Sequence, residues 1–394
     1  MKKYYKALAY LALKRPKSLP SLFRLATGFT RFAKKSYIRE DGISTPPISV
    51  SLRLSYKCNL NCVQCGQRGK RGALRGVSSE FLNQRLSTDK IKAFISEIAG
   101  FRPYISFTGG EPLLCNDLTE IIRFATRKHL ITGLNTNSTL LEQNAEDLIK
   151  SGLVYIFASL DGPTPVNDKI RIGKDSTERA IRGIKAVVDR RDKLKTLLPL
   201  IQIQFCITSE NQHHILETAK FINDNLKIDV LGIVPGVFTT QALSDATSKV
   251  YKKLFNIEQK YWAGFIRNVT KLDVAAIKQQ INEIKNTKWK FRLRVYPPIG
   301  YRDFSFYEYY NNPTKLFGDI FCPTPYVFAQ LQPNGDIATC GSQPDYIAGN
   351  ILENKFMDIW NGEKYRLFRK TIKQKLFPSC PRCWGLYEFY KYKV

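Results

Sequence analysis

Strand-like and helix-like segments alternate regularly between residues 47 and 235. The strand-like runs are 48–55, 104–109, 131–136, 154–160, 200–208 and 229–234, and the amphipathic helices between them are 88–99, 117–128, 142–151, 176–191 and 213–225. Strands joined by helical connections of this length form βαβ units, and hence a parallel sheet with right-handed crossovers. The sequence therefore predicts an α/β fold, either a partial (β/α)6 barrel or a doubly wound sheet. In such barrels the chemistry gathers at the carboxyl ends of the strands.

The same pattern divides the chain, whose 394 residues suffice for two or three domains. We expect a basic helical extension over 1–46, the barrel over 47–240, a polar helical segment over 241–317 and a small C-terminal α+β domain over 318–394. The third segment includes a predicted strand at 288–298, ending at Pro297–Pro298. The last includes a predicted hairpin turn at 333–337, because Asn334-Gly335 suits a tight turn.

The N-terminal extension mixes basic and aromatic residues on two predicted helices separated by Pro16. Two interpretations are open: the helices lie on an anionic membrane surface, or they pack on the domain that follows. The apolar stretch from Ala7 to Leu13 is interrupted by Lys14 and Arg15, so it fits neither a signal peptide nor a membrane span. The predicted location is cytoplasmic, with membrane-peripheral contact as the further expectation.

The charge balance is strongly basic, with 61 Lys or Arg against 34 Asp or Glu and a net charge of +27. Such an excess favours anionic partners, namely a membrane surface, nucleic acid or an anionic substrate, although it also serves solubility alone. Helix-turn-helix, zinc-finger and RNA-binding signatures do not occur, which makes nucleic acid an unfavoured partner.

Nine cysteines and three histidines point away from His-rich zinc sites. In a reducing compartment, clustered cysteines indicate metal ligands rather than disulfides. Cys58, Cys62 and Cys65 follow the first predicted strand with the spacing CxxxCxxC. Three thiolates on one loop can bind three irons of a cubane cluster and leave the fourth iron open, whereas a structural zinc would require a fourth ligand.

This motif, placed after the first strand of a six-unit βα chain, resembles that of the radical S-adenosylmethionine (radical SAM) superfamily. The resemblance implies that the open iron of a 4Fe–4S cluster binds the amino and carboxylate groups of S-adenosylmethionine. It also implies reductive cleavage of this cofactor to a 5′-deoxyadenosyl radical that abstracts a substrate hydrogen. An electron donor such as flavodoxin or ferredoxin is then an expected partner.

Further motifs agree with the resemblance in their order along the chain. Gly109-Gly110-Glu111-Pro112 follows strand two, Asn135-Thr136-Asn137 closes strand three with Ser138 in place of the family's glycine, and Ser159-Leu160-Asp161-Gly162 ends strand four. Asn167-Asp168 and Arg171 match the next pattern, with Asn167 in place of His. By resemblance, the cofactor-binding residues are Gly109, Gly110, Glu111, Asn137, Ser159, Asp161 and Arg171. Gln204 and Asn211 either face this site or are structural.

A second set of cysteines lies near the C-terminus and consists of Cys322, Cys340, Cys380 and Cys383. Four cysteines suit one closed 4Fe–4S cluster or one structural zinc. The surrounding segments, 334–340 and 349–369, and the CPRC at 380–383 resemble the SPASM domain or its shorter twitch form. This resemblance implies one auxiliary 4Fe–4S cluster with four protein ligands. Cys115 and Cys206 are expected in the core.

The reaction is less constrained than the cofactors. A closed auxiliary cluster carries electrons rather than substrate, which favours net oxidation of a small-molecule or sugar-like substrate. The alternatives are a maturase that modifies peptides or proteins, and a lipid-linked or phosphorylated sugar substrate at a membrane surface. From a different class, the alternative is a non-catalytic metal-cluster protein that binds nucleic acid.

Overall fold

The computed structural model describes residues 2–297, 305–318 and 321–387. The strands are β1 (Ser49–Arg53), β2 (Tyr104–Thr108), β3 (Ile131–Thr136), β4 (Tyr155–Ser159), β5 (Leu200–Cys206), β6 (Val230–Val234), β7 (Arg292–Val295), β8 (Phe328–Leu331), β9 (Asp336–Ala338) and β10 (Ile347–Asn350). The helices are α1 (Lys2–Lys14), α2 (Leu19–Tyr37), α3 (Ser79–Asn83), α4 (Thr88–Ile98), α5 (Leu118–Arg127), α6 (Leu141–Ser151), α7 (Thr164–Arg171), α8 (Ser176–Lys193), α9 (Ile215–Asn225), α10 (Gln241–Phe255), α11 (Val274–Asn286), α12 (Phe306–Asn311), α13 (Thr324–Val327), α14 (Phe356–Trp360) and α15 (Glu363–Gln374).

The ten strands of the described residues belong to one sheet, in the order β10-β9-β8-β1-β2-β3-β4-β5-β6-β7. Strands β1 to β6 pair in parallel in sequence order, which confirms the predicted α/β fold. Two further strands extend this parallel array: β7 pairs with β6, and β8 pairs with β1. The expected strand at 288–298 is shorter in the structure, where β7 covers Arg292–Val295, and Pro298 lies outside the described residues.

Alternation along the strands separates an outer apolar face from an inner polar one. In β2, Ile105 and Phe107 are fully buried against the surrounding helices, whereas Ser106 faces the inside of the barrel. In β4, Ile156 and Ala158 are likewise buried. The helices contribute apolar stripes to this outer core, which accounts for their amphipathic pattern.

The N-terminal helices cover the amino ends of the barrel strands. Ala7 and Leu11 of α1 are buried against the start of β3 and β5, and the Arg15 guanidinium donates to the carbonyl of Gly152 at 2.7 Å. In α2, Ala33 packs near Ile48, directly before β1. The inward faces of α1 and α2 therefore pack on the barrel, as the second interpretation predicts. No helix in the described ranges is long and apolar enough to span a bilayer.

The C-terminal domain joins the barrel through β8 and then turns back. Strands β8 and β9 form the hairpin predicted at 333–337, with Leu331 opposite Ile337. Gly335 has a φ of +97° and its amide donates to the carbonyl of Gln332 at 3.1 Å, so glycine suits this position. The C-terminal domain thus extends the barrel sheet, because β8 pairs with β1 and β9 pairs with β8.

Candidate functional site

The loop that follows β1 carries Cys58, Cys62 and Cys65, all free and half-buried. Each sulfur accepts a hydrogen bond from a different part of the chain. Cys58 Sγ is 3.9 Å from Asn137 Nδ2, and Cys62 Sγ is 3.8 Å from Arg171 Nη1. Cys65 Sγ is 3.4 Å from the backbone nitrogen of Arg68. The structure therefore brings the motifs after β3 and β4 to the cysteine loop.

Burial raises the pKa of two of these thiols. It raises the pKa of Cys58 to about 11 and also raises the pKa of Cys62, where the nearby Arg171 charge partly opposes the effect. Iron binds the deprotonated thiolate, so occupation of this loop displaces protons from the sulfurs. The donated hydrogen bonds would stabilise the thiolate form. Three such ligands on one loop fit a cubane cluster with one open iron.

Gly109 and Gly110 lie directly against the cysteine loop. The amide of Gly110 donates to the carbonyl of Ser55 at 2.9 Å, and the amide of Glu111 donates to the carbonyl of Lys57 at 2.8 Å. A Cβ at Gly109 would come within 2.4 Å of the Ser55 oxygen, and one at Gly110 within 2.1 Å of the Lys57 oxygen. Both positions therefore require glycine because two backbone segments meet there.

Glu111 is fully buried and connects the end of β2 to the end of β3. Its carboxylate accepts hydrogen bonds from the Leu113 amide at 3.1 Å, the Thr136 hydroxyl at 2.8 Å and the Asn137 amide at 2.7 Å. Burial raises the pKa of Glu111 to about 7, although these donors oppose the shift. Glu111 was predicted to contact the cofactor; in this geometry its oxygens hold the loop after β3.

The loop after β3 presents Asn137 to the cysteines. Asn137 Nδ2 donates to Asn59 Oδ1 at 2.8 Å, and its Oδ1 accepts from the Thr139 hydroxyl at 2.7 Å. The next residue, Ser138, is buried with a φ of +70°. A left-handed backbone at this position explains why glycine is the residue expected there and shows that serine adopts the same conformation.

Asp161 and Arg171 form a buried ion pair beside Cys62. Asp161 is fully buried, and the Arg171 side chain is 13% exposed. The Asp161 carboxylate also accepts from Gln64 Nε2 at 2.6 Å and from the Cys206 amide at 2.8 Å. Burial alone would lower the pKa of Arg171, but the charges of Asp161 and Cys62 raise it above its usual value. Asp161 thus orients Arg171, which contacts the cysteine.

Of the other predicted residues, Ser159 and Gln204 lie on neighbouring strands, whereas Asn211 and Asn167 are buried and hydrogen-bonded. Ser159, at the carboxyl end of β4, pairs with Gln204 of β5, and Gln204 lines the inside of the barrel. Asn211 is fully buried and donates to the carbonyls of Asp161 and Cys206, both at 2.9 Å, so its role is structural. Asn167 is also buried and accepts from the Asp161 amide at 2.8 Å.

A cavity of about 350 Å³ occupies the interior of the barrel. Its lining residues are Ser49, Ser51, Tyr104, Ser106, Thr108, Asn135, Phe157, Gln202, Gln204, Gly232, Val234, Arg294, Tyr296, Thr324, Val327, Phe328, Gln330, Gly341 and Trp384. Asp, Glu, Lys and His do not occur among these described lining residues, and Arg294 is the single charged one. The cavity therefore offers hydroxyl, amide and aromatic groups in a setting that suits polar or anionic ligands.

The C-terminal cysteines lie in the loops around β8 and β9. Cys322, Cys340 and Cys380 are buried and Cys383 is half-buried, all as free thiols. Burial, followed by the charges of neighbouring cysteines, raises the pKa of Cys340 and Cys380 above their usual range, and that of Cys322 to about 12. Among residues 2–297, 305–318 and 321–387, no group of three or more His, Cys, Asp or Glu is arranged to hold a single metal ion.

Sequence reasoning did not identify several residues that complete the site. Gln64, Asn59 and Thr139 support Asp161 and Asn137 through side-chain hydrogen bonds. Gln64 lies between Cys62 and Cys65, so its position in the motif was the available signal. Cys115 is buried, as expected, whereas Cys206 is half-buried beside the Asp161 ion pair.

Two family models match the chain. The Radical SAM superfamily model matches residues 52–222, and the SPASM model, described as an iron–sulfur cluster-binding domain, matches residues 322–384. Both matches include the cysteines of the corresponding constellation. The core of the barrel and the C-terminal domain are therefore recognised separately.

Curated relatives agree with these models. The chain is 27% identical over 357 residues to the AdoMet-dependent heme synthase of Methanosarcina barkeri, covering 86% of this chain and 89% of that protein. It is 38% identical over 133 residues to the Fe-coproporphyrin III synthase of the same organism, covering 33% of this chain and 31% of that protein. The second match thus spans about a third of either protein.

The fold resembles that of SuiB from Streptococcus suis. The structure of SuiB bound to S-adenosylmethionine superposes with a TM-score of 0.58 at 16% identity, covering 92% of this chain and 78% of SuiB. The structure bound to the precursor peptide SuiA gives a TM-score of 0.58 at 15% identity, covering 90% and 75%. These structures show a shared fold, and it is the two family models, matching residues 52–222 and 322–384, that assign the chain to the radical SAM superfamily, whose members use a 4Fe–4S cluster and S-adenosylmethionine, with a C-terminal SPASM iron–sulfur domain.

Proposed function

We propose that this chain is a radical SAM enzyme that oxidises a small-molecule or sugar-like substrate, with Cys58, Cys62 and Cys65 as ligands of the catalytic 4Fe–4S cluster. The observation that carries the proposal is the convergence of Asn137 and Arg171 on the sulfurs of this loop. When bound, the cluster and S-adenosylmethionine supply a radical that abstracts hydrogen from a substrate. The cofactor thus carries the difficult chemistry, and the protein positions and shields it.

The surrounding residues orient the loop and shape the cofactor site. Gly109 and Gly110 let the turn after β2 approach the cysteine backbone. Glu111 fixes the loop that presents Asn137, and Asp161 fixes Arg171. Ser159, at the end of β4, completes the predicted cofactor contacts at the carboxyl edge of the sheet, where barrel enzymes place their active sites.

The second set of cysteines supports an oxidative outcome. Cys322, Cys340, Cys380 and Cys383 supply four thiols, one for each iron of a 4Fe–4S cluster. A cluster with four protein ligands has no open iron for substrate, and we propose that it transfers electrons. The cavity of about 350 Å³ has the size of a small-molecule site.

The first test is 5′-deoxyadenosine formation by anaerobically reconstituted protein, with S-adenosylmethionine and reduced flavodoxin or ferredoxin as electron donor. We expect product from the wild type and none from the Cys58→Ala/Cys62→Ala/Cys65→Ala variant. A matched control, Cys115→Ala, changes a buried cysteine outside both constellations and should retain product. 5′-Deoxyadenosine from the triple variant would refute the ligand assignment. A substrate-derived product at the same oxidation level as the substrate would refute the proposed oxidation.

Peptide or protein modification is the second candidate, supported by the likeness of the fold to SuiB in its complex with a precursor peptide. The two candidates differ in the size of the molecule that stimulates 5′-deoxyadenosine formation. Dialysable metabolites from a cell extract should stimulate it if the substrate is small. Stimulation by the retained macromolecular fraction alone would favour the peptide candidate.

A peripheral membrane contact is supported by the outward face of the N-terminal helices. Residues 1–37 contain ten Lys or Arg and no Asp or Glu. Leu13, Leu19 and Phe23 are exposed at the junction of α1 and α2, with relative exposures of 82%, 44% and 63%. Apolar side chains among basic ones match the chemistry of an anionic bilayer surface.

Vesicle flotation tests this contact. The wild type should float with phosphatidylserine-containing vesicles and less with neutral ones, and high salt should weaken the binding. Phe23→Glu should abolish flotation. Leu352→Glu, which changes an apolar residue of the C-terminal domain that is 50% exposed, should not. Equal flotation of the two variants would rule out the N-terminal surface.

A further inference from the structure

Two polar side chains on the wall of the barrel cavity have no hydrogen-bond partner among the described residues. Gln202 lies on β5 and Arg294 on β7, and both line the cavity. Neither side chain forms a hydrogen bond or an ion pair with any residue that the structure describes. Elsewhere on the same wall, Asn135 is engaged and donates to the Ser106 hydroxyl at 2.8 Å. Gln202 and Arg294 therefore keep their N–H donors free for a ligand.

A glycine on the strand between them brings these two side chains together. Gly232 of β6 pairs with Arg294 on one side and with Gln204 of β5 on the other. A Cβ at Gly232 would come within 2.8 Å of Gln202 Nε2, so the amide of Gln202 lies over this glycine. Neighbouring strands are about 4.8 Å apart, which places that amide beside the base of the Arg294 side chain. The glycine thus lets an amide and a guanidinium face the same part of the cavity.

The Arg294 side chain is exposed, so a ligand in the cavity can reach it. Its guanidinium carbon lies 5.3 Å from the ring centre of Tyr296, which also lines the cavity. The Tyr296 hydroxyl donates to the carbonyl of Trp384 at 2.6 Å, which fixes the ring. Attraction to an aromatic ring does not replace a hydrogen-bond acceptor, so the N–H donors of Arg294 stay unpaired. The ring therefore holds the guanidinium at the cavity wall without occupying it.

We propose that Arg294 and Gln202 bind a carboxylate group of the substrate and thereby orient it in the barrel. This inference rests on the proposed function, because it takes the cavity as the substrate site. Arg294 supplies the single charge among the described lining residues. One positive charge matches a carboxylate, whereas a phosphate monoester carries about −1.5 to −2 and would need a further cation. The guanidinium presents paired donors to a planar carboxylate, and the Gln202 amide adds a third.

The binding test uses benzoate and benzamide as probes, because they have the same shape and differ in charge. Binding to the reconstituted protein is measured by ligand-observed NMR at physiological salt, without reductant, so that no radical chemistry enters. The wild type should bind benzoate about tenfold more tightly than benzamide. Arg294→Met should remove this preference and keep benzamide binding, and Arg294→Lys should retain part of it. Absent benzoate binding, equal affinity of the wild type for both probes, or an unchanged preference in Arg294→Met would overturn the proposal.

Arg292→Met is the matched control, because it removes a positive charge from the same strand at a position that does not line the cavity. It should keep the benzoate preference, and an equal loss in both variants would overturn the site in favour of general attraction to the basic surface. S-adenosylmethionine should leave benzoate bound, whereas displacement would assign the site to the cofactor. A wild type that prefers benzoate but forms no 5′-deoxyadenosine would refute the radical function and not the carboxylate site. The converse result would refute the carboxylate site alone.

Discussion

Replacing Asp161 by asparagine tests the organisation of the cysteine loop. Asp161 has no exposed surface and accepts on both oxygens: one from the Cys206 amide, the other from Gln64 and Arg171. An asparagine side chain presents one oxygen and one NH2 group. Whichever way the amide is turned, its NH2 group faces a donor, and Arg171 loses its counter-charge. The substitution therefore breaks a buried ion pair without leaving a cavity.

The magnitude follows from the burial of the two partners. Removing one member of a buried pair costs about 3–5 kcal/mol, since the other charge stays in a poorly solvated site. An unfolding entropy of about 2.1 cal/mol/K per residue corresponds to about 0.8 kcal/mol/K for this chain of 394 residues. Asp161→Asn should therefore lower Tm by about 4–6 °C, if the chain unfolds as one unit.

The assay is thermal unfolding of ligand-free protein, with iron content after reconstitution as the second readout. The matched control is Asp117→Asn, which breaks the Arg85–Asp117 pair, whose side chains are 32% and 18% exposed. A more solvated pair contributes about 1 kcal/mol or less, so this variant should lose only about 1 °C. Iron should fall in Asp161→Asn alone, because Arg171 then no longer holds Cys62. Equal Tm losses in the two variants, with iron retained in both, would refute this reasoning.

Three other predictions concern the same edge of the sheet. Gly110→Ala should push the turn after β2 away from the backbone of Lys57, and so lower both Tm and the affinity for S-adenosylmethionine measured by titration calorimetry. A variant that binds S-adenosylmethionine normally would contradict the close approach. Glu111→Gln should cost about 1–3 kcal/mol in denaturant unfolding, because an amide cannot accept on both sides. Burial raises the pKa of Asp117, but hydrogen bonds from Arg85 and Thr88 lower it overall from 3.8. Its stabilisation is thus complete above that pH and lost as pH falls, so Asp117→Asn should flatten the acid side of a Tm–pH curve.

The strands of the barrel could be predicted closely because their signal is local. Strand β3 coincides with the expected 131–136, and β2 and β4 differ from the expected ends by one residue at most. The additional strands β7 and β8 have four residues each, and their pairing with β6 and β1 joins distant parts of the chain. Sequence periodicity does not report such long-range pairing, so the extension of the sheet beyond six strands was not foreseen.

The motifs predicted which residues form the candidate site, but not which of them hold neighbouring loops and which contact the cysteine sulfurs. Glu111 and Asp161 were both expected to contact the cofactor, because carboxylates in these motifs accompany it. In the structure both are fully buried and use their oxygens on neighbouring loops. Burial depends on how separate loops pack, and residue spacing within one loop carries no such information.

The two cysteine constellations lie on opposite sides of the barrel cavity. Cys58 follows the carboxyl end of β1, whereas Cys340 follows β9, which runs antiparallel to β8 and returns toward the amino end of β1. Three residues that line the cavity, Thr324, Gly341 and Trp384, each lie within two residues of a C-terminal cysteine. A five-residue strand such as β1 spans about 15–17 Å, which sets the scale of the separation. Under the proposed function, a substrate held in the cavity would have the catalytic cluster on one side and the auxiliary cluster on the other.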